Sequence, residues 1–148
     1  MQKLFKYLNQ NLADLNIFYV KLHQFHWLVQ GKGFFTLHAQ FEKTYEFVHD
    51  AFDEIAERIV GLEGKPVTTT KEYLELAKIK ELEKPEYCGN KLVGLMVEDL
   101  KHLAKTLKET INVSDNLSDV VTSDMLTTIV AEIEKQIWMY RAYFTTHN

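Results

Sequence analysis

Helix breakers are scarce in this chain, and that scarcity limits its fold more than any other feature. Two prolines and six glycines in 148 residues leave room for long helices. Both prolines and four of the glycines mark three places: Gly31 and Gly33, then Gly64 and Pro66, then Pro85 and Gly89. Between them, apolar residues recur at three- and four-residue spacing, the period of an amphipathic helix. Leu4, Leu8, Leu12, Leu15, Leu22, Phe25 and Val29 predict a first helix over 4–30, with His26 on its inward side. Gly31-Lys32-Gly33 is expected to end it, since glycine takes positive φ cheaply. A second helix is expected over 36–62, closed by Gly64 and Pro66.

A long connection follows, with a short helix inside it. Thr69 and Glu72 have capping-box spacing ahead of Tyr73, Leu74 and Ala77. A third long helix is expected over 90–111, with Leu92, Leu95, Met96, Leu100, Leu103, Leu107 and Ile111 on one stripe. A polar loop with aspartates comes next. The fourth long helix is expected over 119–144, with Leu126, Val130, Ile133, Ile137, Tyr140 and Phe144 inward and Trp138 in the core. Helices of this length span roughly 33–40 Å. Two tight turns pair the first helix with the second and the third with the fourth, and the middle connection is long enough to cross the bundle. The expected fold is all-α, a four-helix bundle with one long crossover, which is the ferritin-like arrangement. Residues 1–148 are expected to form a single domain.

Composition narrows the partners. A net charge of −4 argues against a generally basic nucleic-acid surface. The single cysteine, Cys88, excludes an intramolecular disulfide framework, fits a reducing compartment, and reads as a small buried or half-buried residue. No apolar run reaches membrane-spanning length, and the start of the chain lacks a signal-peptide pattern. A cytoplasmic protein is expected, associated with the nucleoid only if it binds DNA.

The stretch from His26 to Glu57 carries the chemistry. His38 and Glu42 are four residues apart, as are Asp53 and Glu57. Each pair shares a helix face. The step from Glu42 to Asp53 rotates only about 20° beyond whole turns, so all four residues share one face. The same step rises about 16 Å, far more than metal–ligand bonds of about 2 Å can bridge. Either the pairs are unrelated surface charges, or a second copy runs antiparallel across a two-fold axis near Phe47 and Val48. The second arrangement sets His38 and Glu42 of one subunit against Asp53 and Glu57 of the other, in the reciprocal form of an isologous contact.

Each residue also has a plain reading. A lone histidine on an apolar face is usually a satisfied core residue, and acidic residues at this spacing are usually a solvated face. A rival constellation exists in Glu46 and His49, with Asp99 and His102 as a second arm, at the Glu-x-x-His spacing of intrasubunit ferritin sites. It lacks an evident inward partner, with Asp14 the one acidic residue of the first helix. His49 lies close to the ligand face and reads as a polar interface residue or an extra ligand.

Phe25-His26-Trp27, then Phe35-Thr36-Leu37-His38 with Phe41-Glu42, then Asp53-Glu54-Ile55-Ala56-Glu57-Arg58 resemble the signature of the Dps proteins, the mini-ferritins. The likeness covers almost the whole chain. It implies that His26, His38 and Glu42 are metal ligands from one subunit, with Asp53 and Glu57 from its two-fold mate. Many members carry Asp where Glu42 stands. The resemblance further implies a ferroxidase that binds iron, two ions per inter-subunit site. It implies Fe(II) and hydrogen peroxide as substrates, and a hollow homo-dodecamer that stores ferric mineral. The alternative is a DNA-compacting or structural helical assembly without such chemistry.

Trp27, beside a ligand position, is an oxidant scavenger on one reading and an apolar wedge at the dimer contact on the other. Asp115 and Asp124 match acidic positions of the family's three-fold pores, where carboxylates attract ferrous ions. Asp119 is a weaker match, and Val120 stands where some members have another Asp. The plain reading is that acidic residues favour a helix N-terminus. Members that bind DNA strongly often use a lysine-rich tail. This sequence starts near its first helix and ends in Thr145-Thr146-His147-Asn148, so weak or no DNA binding is expected.

Overall fold

A computed structural model describes residues 1–144; the chain end at 145–148, counted above as lacking a basic tail, lies outside the described residues. Among the described residues there are five helices: α1 (Gln2–Leu28), α2 (Phe34–Gly61), α3 (Thr70–Leu76), α4 (Gly89–Asn116) and α5 (Val120–Tyr143). The only β pairing among them is an isolated bridge between Gln30 and Cys88. Helix α1 packs on α2, and α4 packs on α5. The expected all-α bundle with a short helix in its crossover is the observed fold.

The apolar stripes build the core. Leu4, Leu8, Leu12, Leu15, Phe18, Leu22 and Phe25 of α1 meet Leu37, Phe41, Val48, Ile55 and Ile59 of α2 in a buried cluster shared with α4 and α5. Tyr140 of α5 ties the bundle together through a 2.8 Å bond to Thr44, within reach of the Gln40 carbonyl. Burial pushes the Tyr140 phenol far up despite these bonds, so it stays a neutral donor.

Several expectations need correction. Helix α4 runs to Asn116 rather than 111. The stretch Asn112–Asn116 is polar in sequence, but Val113 and Ser114 are buried and hold it helical, so packing overrides propensity. Asp115 therefore sits in the last turn of α4. Trp138 is not core: it is 67% exposed, because the inward stripe of α5 passes through Ile133, Gln136 and Tyr140. Phe144 is also exposed. Cys88 is exposed, at the N-cap of α4.

Helix ends follow local chemistry that the sequence hides. Both α2 and α4 close with Schellman-type bonds. Gly64 N–H reaches Ile59 O at 2.8 Å, and Asp119 N–H reaches Ser114 O at 3.0 Å. The left-handed position is filled by Glu63 (φ 62°) and Ser118 (φ 57°), not by glycine. Gly64 serves another purpose: a Cβ there would meet the Phe5 ring at 2.6 Å, so glycine lets the crossover lie against the start of α1. Thr69 and Glu72 form the expected capping box at α3.

The crossover is anchored by a buried carboxylate. Asp14 of α1 has no exposed surface. Its Oδ1 accepts the backbone N–H groups of Lys78 and Ile79 at 2.6 and 2.9 Å, and its Oδ2 accepts His102 Nε2 at 3.0 Å. Two turns further along α1, buried Lys21 pairs with Asp99 at 2.7 Å. Burial pushes the Asp99 carboxyl up, against the pull of Lys21. Asp14 is thus the inward partner that the sequence did not reveal for His102. Asp99 and His102 are committed to Lys21 and Asp14, while Glu46 and His49 are exposed, so the rival intrasubunit constellation is not assembled.

At the other end, Asp119 caps α5 by accepting Thr122 N–H and the Thr122 hydroxyl, and Arg58 of α2 reaches both residues at 2.8 Å. Burial alone would raise the Asp119 carboxyl, but these donors outweigh it and leave it below the usual range. Its contribution is therefore fully present above the unfolded value of about 3.9 and is lost as pH falls through the lower folded value. Asp119→Ala is expected to cost about 1–2 kcal/mol at neutral pH. Urea midpoints for wild type and variant should differ most at pH 7 and draw together as pH falls through the lowered folded-state value.

Candidate metal centre

Two histidines meet at the turn between α1 and α2. Gly31 has φ +105°, a conformation that L side chains rarely adopt. Gln30 N–H is fixed to Tyr87 O at 2.8 Å, so the end of the crossover braces this turn. Helix α1 already ends at Leu28 with an extended cap at Val29, so the glycines shape the reversal rather than the cap expected of them. The reversal sets His26, in the last turn of α1, beside His38, in the second turn of α2. Their rings stack at 3.7 Å with planes 13° apart.

The pair is locked reciprocally. His26 Nδ1 lies 2.6 Å from the His38 carbonyl, and His38 Nδ1 lies 2.7 Å from the His26 carbonyl. A carbonyl only accepts, so each Nδ1 carries the proton. In the neutral ring each Nε2 then keeps its lone pair, the form in which imidazole binds a metal. His26 is buried and His38 half-buried, with Phe34 stacked on the His38 ring at 5.0 Å.

Glu42 is exposed one turn further along α2, where its Oε1 accepts the Tyr45 hydroxyl at 3.2 Å. Burial, and then the Glu42 charge, push the Tyr45 phenol up, so it remains a donor. The Tyr45 ring stands edge-on to His26 at 5.5 Å and stacks on His23 at 4.2 Å. Sequence reasoning missed both residues. Their signal was available: His23 lies three residues before His26, and Tyr45 three after Glu42, each one turn away on the same helix.

Asp53 and Glu57 are exposed on the same helix, about 16 Å of axis beyond Glu42. This chain does not bring them to the histidines. Among the described residues, no three of His, Cys, Asp and Glu gather closely enough to hold one ion. His49 is exposed, 3.3 Å from Asp50, with its ring against Phe52. Trp27 is 68% exposed and contacts His23 at 5.4 Å between centroids. Asp115 and Asp124 are exposed, and Asp124 lines an open groove with Glu54, Val120 and Val121.

Comparison with known proteins places the fold. The family model for the ferritin-like domain matches residues 5–148. The chain is 43% identical over 136 residues to the DNA protection during starvation protein 2 of Bacillus anthracis, covering 92% of each chain. The crystal structure of Dps from Staphylococcus aureus superposes with a TM-score of 0.95 at 36% identity, over 99% of this chain and 98% of that one. Dps from Vibrio cholerae O1, described as a member of a broad superfamily of ferritin-like diiron-carboxylate proteins, superposes with a TM-score of 0.93 at 33% identity, over 97% and 90%. No helix among the described residues is long and apolar enough to cross a membrane. A bundle with this crossover and this degree of identity along its length belongs to the Dps family of the ferritin-like superfamily.

Proposed function

We propose that this chain is a single-domain ferroxidase subunit of a hollow cytoplasmic dodecamer that oxidises Fe(II) with hydrogen peroxide and stores the ferric product. The observation that carries this reading is the locked histidine pair. Both Nδ1 atoms are satisfied by backbone, so both Nε2 atoms are prepared to bind a cation. His26, His38 and Glu42 form one half-site, and Asp53 and Glu57 of a second copy complete it. Helical geometry permits that split, in an antiparallel register about Phe47 and Val48. That register places residues whose numbers sum to about 95 opposite one another.

Two imidazoles and three carboxylates suit Fe(II), since they offset charge without requiring thiolate. Each site takes two ferrous ions. Each ion gives one electron to peroxide, and with two protons the peroxide leaves as two waters. This route releases no hydroxyl radical and so protects the cell from oxidative damage. Exposed Asp115 and Asp124 form the acidic lining of an iron entry pore, softened by Val120. Trp27 and His49 lie at the subunit contact beside this site.

Anaerobic titration with Fe(II), followed by peroxide, tests the reading. Tight binding of about two ions per site and fast oxidation are expected, on a particle sized as a dodecamer. A monomer that still oxidises iron, or a cage that does not, rejects it. The alternative of DNA compaction without this chemistry gives passive cages and a gel shift. With a net charge of −4 per chain, no shift is expected at about 150 mM salt.

A further inference from the structure

Glu42 is the one member of the proposed half-site that the backbone does not hold. The two histidines are fixed by carbonyls at 2.6 and 2.7 Å, whereas the Glu42 side chain projects into solvent. A glutamate also has one more rotatable bond than an aspartate would have at that position. An exposed, unrestrained glutamate must lose that freedom when an ion arrives, which weakens binding.

The structure holds Glu42 from α1 instead. Tyr45 donates its hydroxyl to Glu42 Oε1 at 3.2 Å. Three rings of α1 fix the Tyr45 ring. His23 stacks on it at 4.2 Å, His26 meets it at right angles at 5.5 Å, and Tyr19 meets it edge-on at 5.9 Å. His23 is itself held, since its Nδ1 lies 2.8 Å from the Tyr19 carbonyl. The chain of contacts runs from the α1 backbone through His23 and Tyr45 to the Glu42 carboxylate.

We propose that Tyr45 is a positioning residue for metal binding. It restrains the Glu42 carboxylate through Oε1 and leaves Oε2 for the ion, so that the longer glutamate arm works where a shorter aspartate would need no tether. The inference rests on the reading of Glu42 as a ligand. It adds a residue that does not touch the ion and acts through another.

The test uses Co(II) under anaerobic conditions, with its visible absorption as the readout, on the assembled protein. Tyr45→Phe keeps the ring and its stacking and removes only the hydroxyl. It should weaken Co(II) binding about tenfold, the low end for losing a partner that orients a ligand, while particle size and melting temperature stay at wild-type values. Glu42→Gln alone should weaken binding as well. Adding Tyr45→Phe to Glu42→Gln should then cost nothing further, because the carboxylate that Tyr45 holds is gone. In the peroxide reaction, Tyr45→Phe should raise KM for Fe(II) more than it lowers kcat.

Wild-type Co(II) affinity in Tyr45→Phe overturns the proposal. So does a double variant in which the two losses add in full, which would mean that Tyr45 acts independently of Glu42. If Glu42→Gln binds Co(II) as the wild type does, the ligand assignment of Glu42 has failed instead, and the tether falls with it.

Discussion

Cages co-expressed from His38→Ala and Glu57→Ala chains are expected to oxidise iron, although cages of either variant alone do not. Each parent should lose peroxide-driven oxidation by about 100-fold or more, since removing a ligand costs at least what removing its outer partner does. A mixed two-fold pair then contains one site with both defects and one site with neither. The intact site takes its histidine from the Glu57→Ala chain and its carboxylate from the His38→Ala chain. With random pairing, about half the pairs are mixed and each has one good site of two, so about a quarter of wild-type sites return. The measurement is the initial rate after peroxide addition to Fe(II)-loaded cages. A site confined to one chain gives a different result, because no pairing of two defective chains restores it. Recovery below a few per cent, with proven co-assembly, would reject the shared site.

Replacing Asp14 by Ala should be among the most destabilising single changes in the fold. The carboxylate is fully buried and satisfies two backbone N–H groups of the crossover as well as His102. Alanine leaves those donors unpaired in a dry site, at an expected cost of about 3–5 kcal/mol. For a chain of this size, that corresponds to a melting temperature lower by roughly 10 °C. Asp14→Asn should recover much of the loss. Its amide oxygen can accept both N–H groups, and its NH₂ can donate to His102 once that ring shifts its proton to Nδ1. Calorimetric scans of the three proteins check the order. An alanine variant that melts within two degrees or so of wild type would show that the crossover is held by its apolar contacts at Ala77 and Ile79.

The sequence determined the helices, because each long stripe from Leu4 to Tyr140 is a local statement about which side of a helix avoids water. It also determined the face shared by His38, Glu42, Asp53 and Glu57, because that follows from the pitch of a helix alone. It could not determine where α4 stops, since the burial of Val113 and Ser114 comes from other helices. Nor could it show that Trp138 faces outward, where one step along α5 changes the side by about 100°.

Only the tertiary structure decided the partners of the polar groups. Asp14 meets Lys78 and His102 across 64 and 88 residues, and His26 and His38 exchange carbonyl bonds across a turn. Such pairs depend on how helices are stacked in space, and no periodicity along the chain encodes them. The same is true of Tyr45, whose spacing from Glu42 is visible in sequence while its three restraining rings belong to a different helix. Local order is set by neighbours along the chain and is legible there. Polar satisfaction is set by neighbours across the core, and the chain must fold before those neighbours exist.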